Sequence, residues 1–183
     1  MSLLPGGSCD IQLIEEICNK SSRDNPHLSY NFCAEAIEAV PESCHADLNG
    51  LGIISSKLAL LNATHIQHLI LELKNQTSDS NTSQALDQCL EVYSDAISDL
   101  EESINAFTFG SYDDANVFVS AAMTNSGDCE GGFQDKQGGK EAEKSLNLTL
   151  FQLFKTIHII VPFIVNIDPW ISRQVNLPYL ALV

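Results

Sequence analysis

Between Leu86 and Phe107 the apolar residues recur every three or four positions without a break: Leu86, Cys89, Tyr93, Ile97, Leu100, Ile104 and Phe107. That step places all of them on one side of an α-helix, whereas a half-buried strand alternates at every second residue. Much of the opposite side is acidic, with Glu91, Asp95, Asp99 and Glu102. An apolar stripe backed by charge must bury against other elements.

The rest of the chain supplies helices to bury it against. Residues 46–75 carry Leu48, Leu51, Ile54, Leu58, Leu61, Ile66, Leu69 and Leu73, mostly three or four apart. Gly50 and Gly52 weaken the first turns of this stretch by about 1 kcal/mol each relative to alanine. Residues 79–83 (DSNTS) are turn-forming and suit a helix start. Gly110 breaks the stripe that follows. A third helical pattern starts near Tyr112 and carries Ala115, Phe118, Ala122 and Cys129, and the glycine-rich loop 131–139 ends it. A fourth starts near Glu141 and carries Leu146, Leu150, Leu153, Ile157 and Val161. Four amphipathic helices with short connections predict an all-α, up-down four-helix bundle. The connections at 76–83 and 108–111 are too short for the crossovers of a cytokine-like bundle.

Two shorter helices, near 11–19 and 29–39, precede the bundle and flank the turn-prone Asp24-Asn25-Pro26. Neither is long enough to be stable alone in water. A bridge from Cys18 to Cys33 would close them into a hairpin. The expected organisation is a residual leader or disordered segment at 1–10, a single domain at 11–161, and an apolar tail at 162–183. The domain divides into a helical hairpin (11–43) and the bundle (44–161). The stretch 157–167 is too short for a membrane span, which needs about 20 residues. Pro162, Pro169 and Pro178 prevent one continuous helix there.

Composition narrows the function. The chain has 9 basic and 24 acidic residues, a net charge of −15, which disfavours nucleic acid and anionic membrane surfaces and favours a basic partner. Six cysteines at wide spacing, none in a C-x-x-C pair, read as disulfides in an oxidising compartment. Asn19, Asn62, Asn75, Asn81 and Asn147 each open an N-x-[ST] acceptor sequence for glycosylation, in agreement with a secretory route. Residues 1–10 lack the basic and apolar regions of a signal peptide.

Catalytic and metal chemistry find little support. His65 and His68 stand three apart, and Cys44-His45 are adjacent, yet no H-E-x-x-H motif is present. No G-x-S-x-G elbow occurs, and Gly139-Lys140 is followed by Glu141 rather than the Ser or Thr of a phosphate-binding loop. Paired acids such as Glu101-Glu102 would serve glycoside hydrolysis only in a cleft. The expectation is a monomeric binding protein without cofactor or metal, and not an enzyme. A secreted signalling ligand is the competing class; a lipid carrier would need a cavity that dense Leu and Ile packing leaves little room for.

Several segments carry a family pattern: Tyr30-Asn31-Phe32-Cys33, Asp47-Leu48-Asn49-Gly50-Leu51-Gly52, Cys89 followed by Tyr93-Ser94-Asp95-Ala96-Ile97, Ser120-Ala121-Ala122, and Cys129-Glu130-Gly131-Gly132-Phe133. Over residues 11–161 the chain resembles the plant invertase and pectin methylesterase inhibitor family, and most closely its plane-tree pollen allergen subgroup. The resemblance implies a four-helix bundle with a protruding helical hairpin. It also implies disulfides Cys18–Cys33 and Cys89–Cys129, whose loops would contribute about 3 and about 4 kcal/mol by chain entropy. Cys9 and Cys44 are left either to pair with each other or to leave Cys44 free.

The same resemblance implies a protein partner, pectin methylesterase or acid invertase, in the apoplast or the vacuole. Methylesterase inhibitors of the family dock across the enzyme's substrate cleft, and carboxylates two and six residues after the third disulfide cysteine take part. These match Glu91 and Asp95. The acid nine residues on is Ser98 here, with Asp99 beside it, and the acid two residues after the fourth cysteine is Gly131. Invertase inhibitors carry Pro-Lys-Phe early in the third bundle helix, where this chain has Tyr112-Asp113-Asp114. Tyr112 resembles the methylesterase inhibitors. The expected partner-binding residues are Glu91, Asp95, Asp99 and Tyr112.

Overall fold

A computed structural model describes residues 11–24 and 29–134, with the side chains of 21, 24 and 130–134 excluded. It contains α1 (Ile11–Asp24), α2 (Tyr30–Glu38), a 3₁₀ turn (Pro41–His45), α3 (Leu48–Gln76), α4 (Ser80–Thr108) and α5 (Tyr112–Gln134). The described residues are all-α and contain no strand. Expectations for residues 1–10, the fourth bundle helix, the tail 162–183, Cys9 and Asn147 lie outside them.

The long helices start and stop where the chain offers caps. The Asp47 carboxylate accepts the Gly50 N–H at 2.8 Å and opens α3. Asp79 does the same for α4 through the Thr82 N–H at 2.7 Å. Each cap satisfies a backbone donor that the first turn leaves without a partner. At the far end of α4, Gly110 takes φ of +72°. Its N–H donates to the Phe107 carbonyl and the Ser111 N–H to the Ala106 carbonyl. This is a Schellman closure, which needs a left-handed residue and therefore favours glycine. The chain reverses within three residues at both connections, 77–79 and 109–111, so α3, α4 and α5 run antiparallel in turn.

Helix α4 is the shared partner, packing on both α3 and α5. The main core joins Ala59, Ala63, Ile66 and Ile70 of α3 to Leu86, Cys89, Tyr93, Ala96 and Leu100 of α4 and to Val119, Ala122 and Cys129 of α5. Small residues on α3 let the helices approach. At Gly52 an added methyl group would come within 2.5 Å of the Phe107 ring. Two buried hydroxyls turn back on their own helices: Ser103 donates to the Leu100 carbonyl and Ser126 to those of Ala122 and Met123.

The hairpin has its own core. Ile14, Ile17, Cys18, Cys33, Ala34 and Ile37 bury against one another and against Leu51 and Ile54, which seats α1 and α2 at the start of α3. Disulfides Cys18–Cys33 and Cys89–Cys129 are both formed, with Cα separations of 5.6 and 4.6 Å. Cys44 is disulfide-bonded too, so the free thiol at that position is not realised.

Several boundaries differ from the sequence expectation. Helix α1 runs on to Asp24 instead of ending near Asn19, and α3 begins at Leu48 rather than Ala46 because Asp47 is its cap. Helix α5 continues through Gly131 and Gly132 to Gln134, where a loop was expected. Glycine costs a helix only about 1 kcal/mol, and packing overrides a penalty of that size. Leu61, placed in the α3 stripe, is 68% exposed, while Ala59, Ala63 and Ile70 take the core.

Candidate partner-binding surface

The carboxylates of α4 form a continuous row. Asp87, Glu91, Asp95 and Asp99 are each four residues apart, about 6 Å along the axis. A step of four residues overshoots one turn by about 40°, so the row winds about 120° around α4 between its ends. Its two ends are tied to different helices. Asp87 makes an ion pair with Lys74 of α3. Asp99 Oδ2 accepts from Asn125 Nδ2 of α5 at 2.9 Å. Glu91 and Asp95 stand exposed between these anchors.

Asp99 differs from its neighbours in environment. It is half-buried in the α4–α5 groove. Desolvation and the nearby Asp95 charge raise its pKa, and the Asn125 amide opposes them. Ser98, the alternative at this position, is exposed.

Tyr112 opens α5 and sits at the end of the bundle that holds the hairpin. Its ring meets Phe107 edge-on, with centroids 6.4 Å apart and planes at 61°. Asp113 and Asp114 beside it are exposed in the first turn, where negative charge suits the helix dipole. Phe107 lies sixteen residues beyond Glu91 on the same helix, about 24 Å along the axis. The four candidate residues therefore do not converge on one point. Three share a winding row and the fourth marks the end of the same helix layer. Such an extended face fits a macromolecular partner, because these four side chains do not meet around one substrate atom.

The sequence did not single out Asp87 or Asn125. Asp87 was signalled by the spacing of four extended one step backwards. Asn125 carried no signal, because only packing brings α5 beside Asp99. Of the acceptor asparagines, Asn19, Asn75 and Asn81 are exposed, and Asn62 is half-buried within α3. His65 and His68 are exposed on α3. Among the described residues no group of three or more His, Cys, Asp or Glu side chains could hold a metal ion. No helix among them is long and apolar enough to cross a membrane.

Comparison with known proteins gives this surface a setting. Residues 12–157 match the family described as plant invertase/pectin methylesterase inhibitor. A Platanus orientalis protein with the provisional name of invertase inhibitor is 35% identical over 146 residues, 77% of this chain and 86% of its own length. An Actinidia deliciosa protein named pectinesterase inhibitor is 35% identical over 134 residues, 73% of this chain and 69% of its own. The crystal structure of a pectin methylesterase inhibitor from Arabidopsis thaliana superposes with a TM-score of 0.62 at 18% identity, covering 87% of this chain and 98% of that one, which establishes the shared fold. The chain belongs to the plant invertase/pectin methylesterase inhibitor family, a family of enzyme inhibitors and not of enzymes.

Proposed function

We propose that the protein inhibits a pectin methylesterase of the plant cell wall by covering its substrate cleft with the α4–α5 layer, as one inhibitor per enzyme. The observation that carries this reading is the pair of exposed carboxylates, Glu91 and Asp95, held between two anchored ones on a disulfide-braced helix. Like charges four residues apart repel one another along a helix, and a basic partner relieves that cost. Tyr112-Asp113-Asp114 supports the choice of target. Asp113 occupies the position where an invertase inhibitor of this family would present a lysine. The extracellular space follows from the target, with the vacuole as the other compartment on the same route.

Acid invertase is the second reading. What favours it is the provisional name of the Platanus orientalis relative, which is as similar to this chain as the Actinidia deliciosa protein is.

Charge reversal tests the surface. The Glu91→Lys, Asp95→Lys double variant should weaken methylesterase inhibition tenfold or more, about 1.4 kcal/mol or greater, with its circular dichroism unchanged. Both side chains point into solvent, so the fold has no need of them. Undiminished inhibition removes both residues from the docking face.

A further inference from the structure

The fold treats the acceptor sequences for N-glycosylation unequally. Asn62 lies in the middle of α3, half-buried. Its Nδ2 donates to the Leu58 carbonyl at 2.9 Å, and the hydroxyl of its partner Thr64 donates to the Leu60 carbonyl at 2.8 Å. Both groups that an acceptor must present are therefore engaged by the helix. Asn75 and Asn81 sit on either side of the α3–α4 connection. Asn75 is one residue from the end of α3, and its partner Thr77 already has extended backbone, with φ −86° and ψ 136°. Asn81 is the second residue of α4. Both asparagines are exposed. Helix ends open at little cost in free energy, while the middle of a packed helix opens only with much of the fold.

We infer that Asn75 and Asn81 carry N-linked glycans and that Asn62 does not, which places two glycans together at the pole opposite Tyr112. The co-reactant is an oligosaccharide joined to a polyprenol through pyrophosphate. The asparagine Nδ2 forms a bond to the first sugar carbon, the bond from that carbon to the pyrophosphate oxygen breaks, and the amide loses one proton as the polyprenyl pyrophosphate leaves. Glycans at Asn75 and Asn81 then deny that pole to a protein partner. The inference rests on the extracellular placement proposed above.

The test is to express the full chain behind a secretory leader in plant cells, recover it from the extracellular fluid, and map it by intact-glycopeptide mass spectrometry. A non-reducing map of the same sample establishes the Cys18–Cys33 bridge, and so passage through an oxidising compartment. The expected result is glycan on the Asn75 and Asn81 peptides and a bare Asn62 peptide. The Asn75→Gln, Asn81→Gln variant should lose both modifications and migrate faster. Bare Asn75, bare Asn81 or glycan on Asn62 in bridged, secreted material overturns the inference, and leaves the inhibitor reading standing.

Discussion

At the residue scale, Asp99 shows how one carboxylate comes to differ from three others in the same row. Its pKa is raised by burial first and by the Asp95 charge second. A raised folded-state value means that the proton is bound more tightly in the native chain than in the unfolded one. The associated stability is complete below the unfolded carboxylate pKa and is lost as pH rises through the folded one. Asp99→Asn keeps an oxygen for Asn125 and carries no charge to desolvate. The variant should therefore unfold at higher denaturant concentration than the wild type at neutral pH, and the gap should close as pH falls below the carboxylate range. Urea titrations across pH measure it. Helical spacing had already set Asp99 in line with Glu91 and Asp95. What spacing cannot supply is the neighbour: Asn125 is twenty-six residues away and reaches Asp99 only because α5 folds back on α4.

At the element scale, the chain's own caps define the helices. Asp79 opens α4, and the backbone and side-chain hydrogen bonds from Thr82 lower its pKa. A lowered folded-state value contributes stability above the unfolded carboxylate pKa, which is lost as pH falls through the folded one. Asp79→Ala should thus lower the melting temperature at neutral pH, and the deficit should shrink in acid as the wild-type cap protonates. Thermal melts read by circular dichroism at several pH values check both parts. Legibility of the elements follows the same physics. The polar run 79–83 and Gly110 marked both ends of α4 in the sequence, because capping is local chemistry. The end of α5 was missed because Gly131-Gly132 reads as a turn in isolation. Its last turns follow directly on Cys129, which is bonded to Cys89 of α4. The α3 core was only half visible. Leucines and Ile66 marked its general face, while Ala59 and Ala63, which share the core with Ile66 and Ile70, carry almost no hydrophobic signal.

At the scale of the whole molecule, the bridges Cys18–Cys33 and Cys89–Cys129 hold separate parts of one architecture. Cys18–Cys33 fixes the hairpin, which then buries Ile14, Ile17 and Ile37 against the start of α3. Cys89–Cys129 joins α4 to α5 just below Glu91, so the acidic row is displayed on a pair of helices that cannot slide past each other. A pre-ordered face loses little conformational entropy on docking, which matters for an extended surface. The helical fold class was legible from periodicity, and the family, with the bridges Cys18–Cys33 and Cys89–Cys129, from the resemblance its sequence segments carry. The choice of target enzyme was not, because the same bundle serves relatives named for either one, and specificity resides in a few exposed side chains. The most direct measurement is therefore a side-by-side titration of purified pectin methylesterase and purified acid invertase with the full chain. The account requires methylesterase activity to fall to its floor at one equivalent while invertase activity holds. Loss of invertase activity at one equivalent, with methylesterase unaffected, would contradict it.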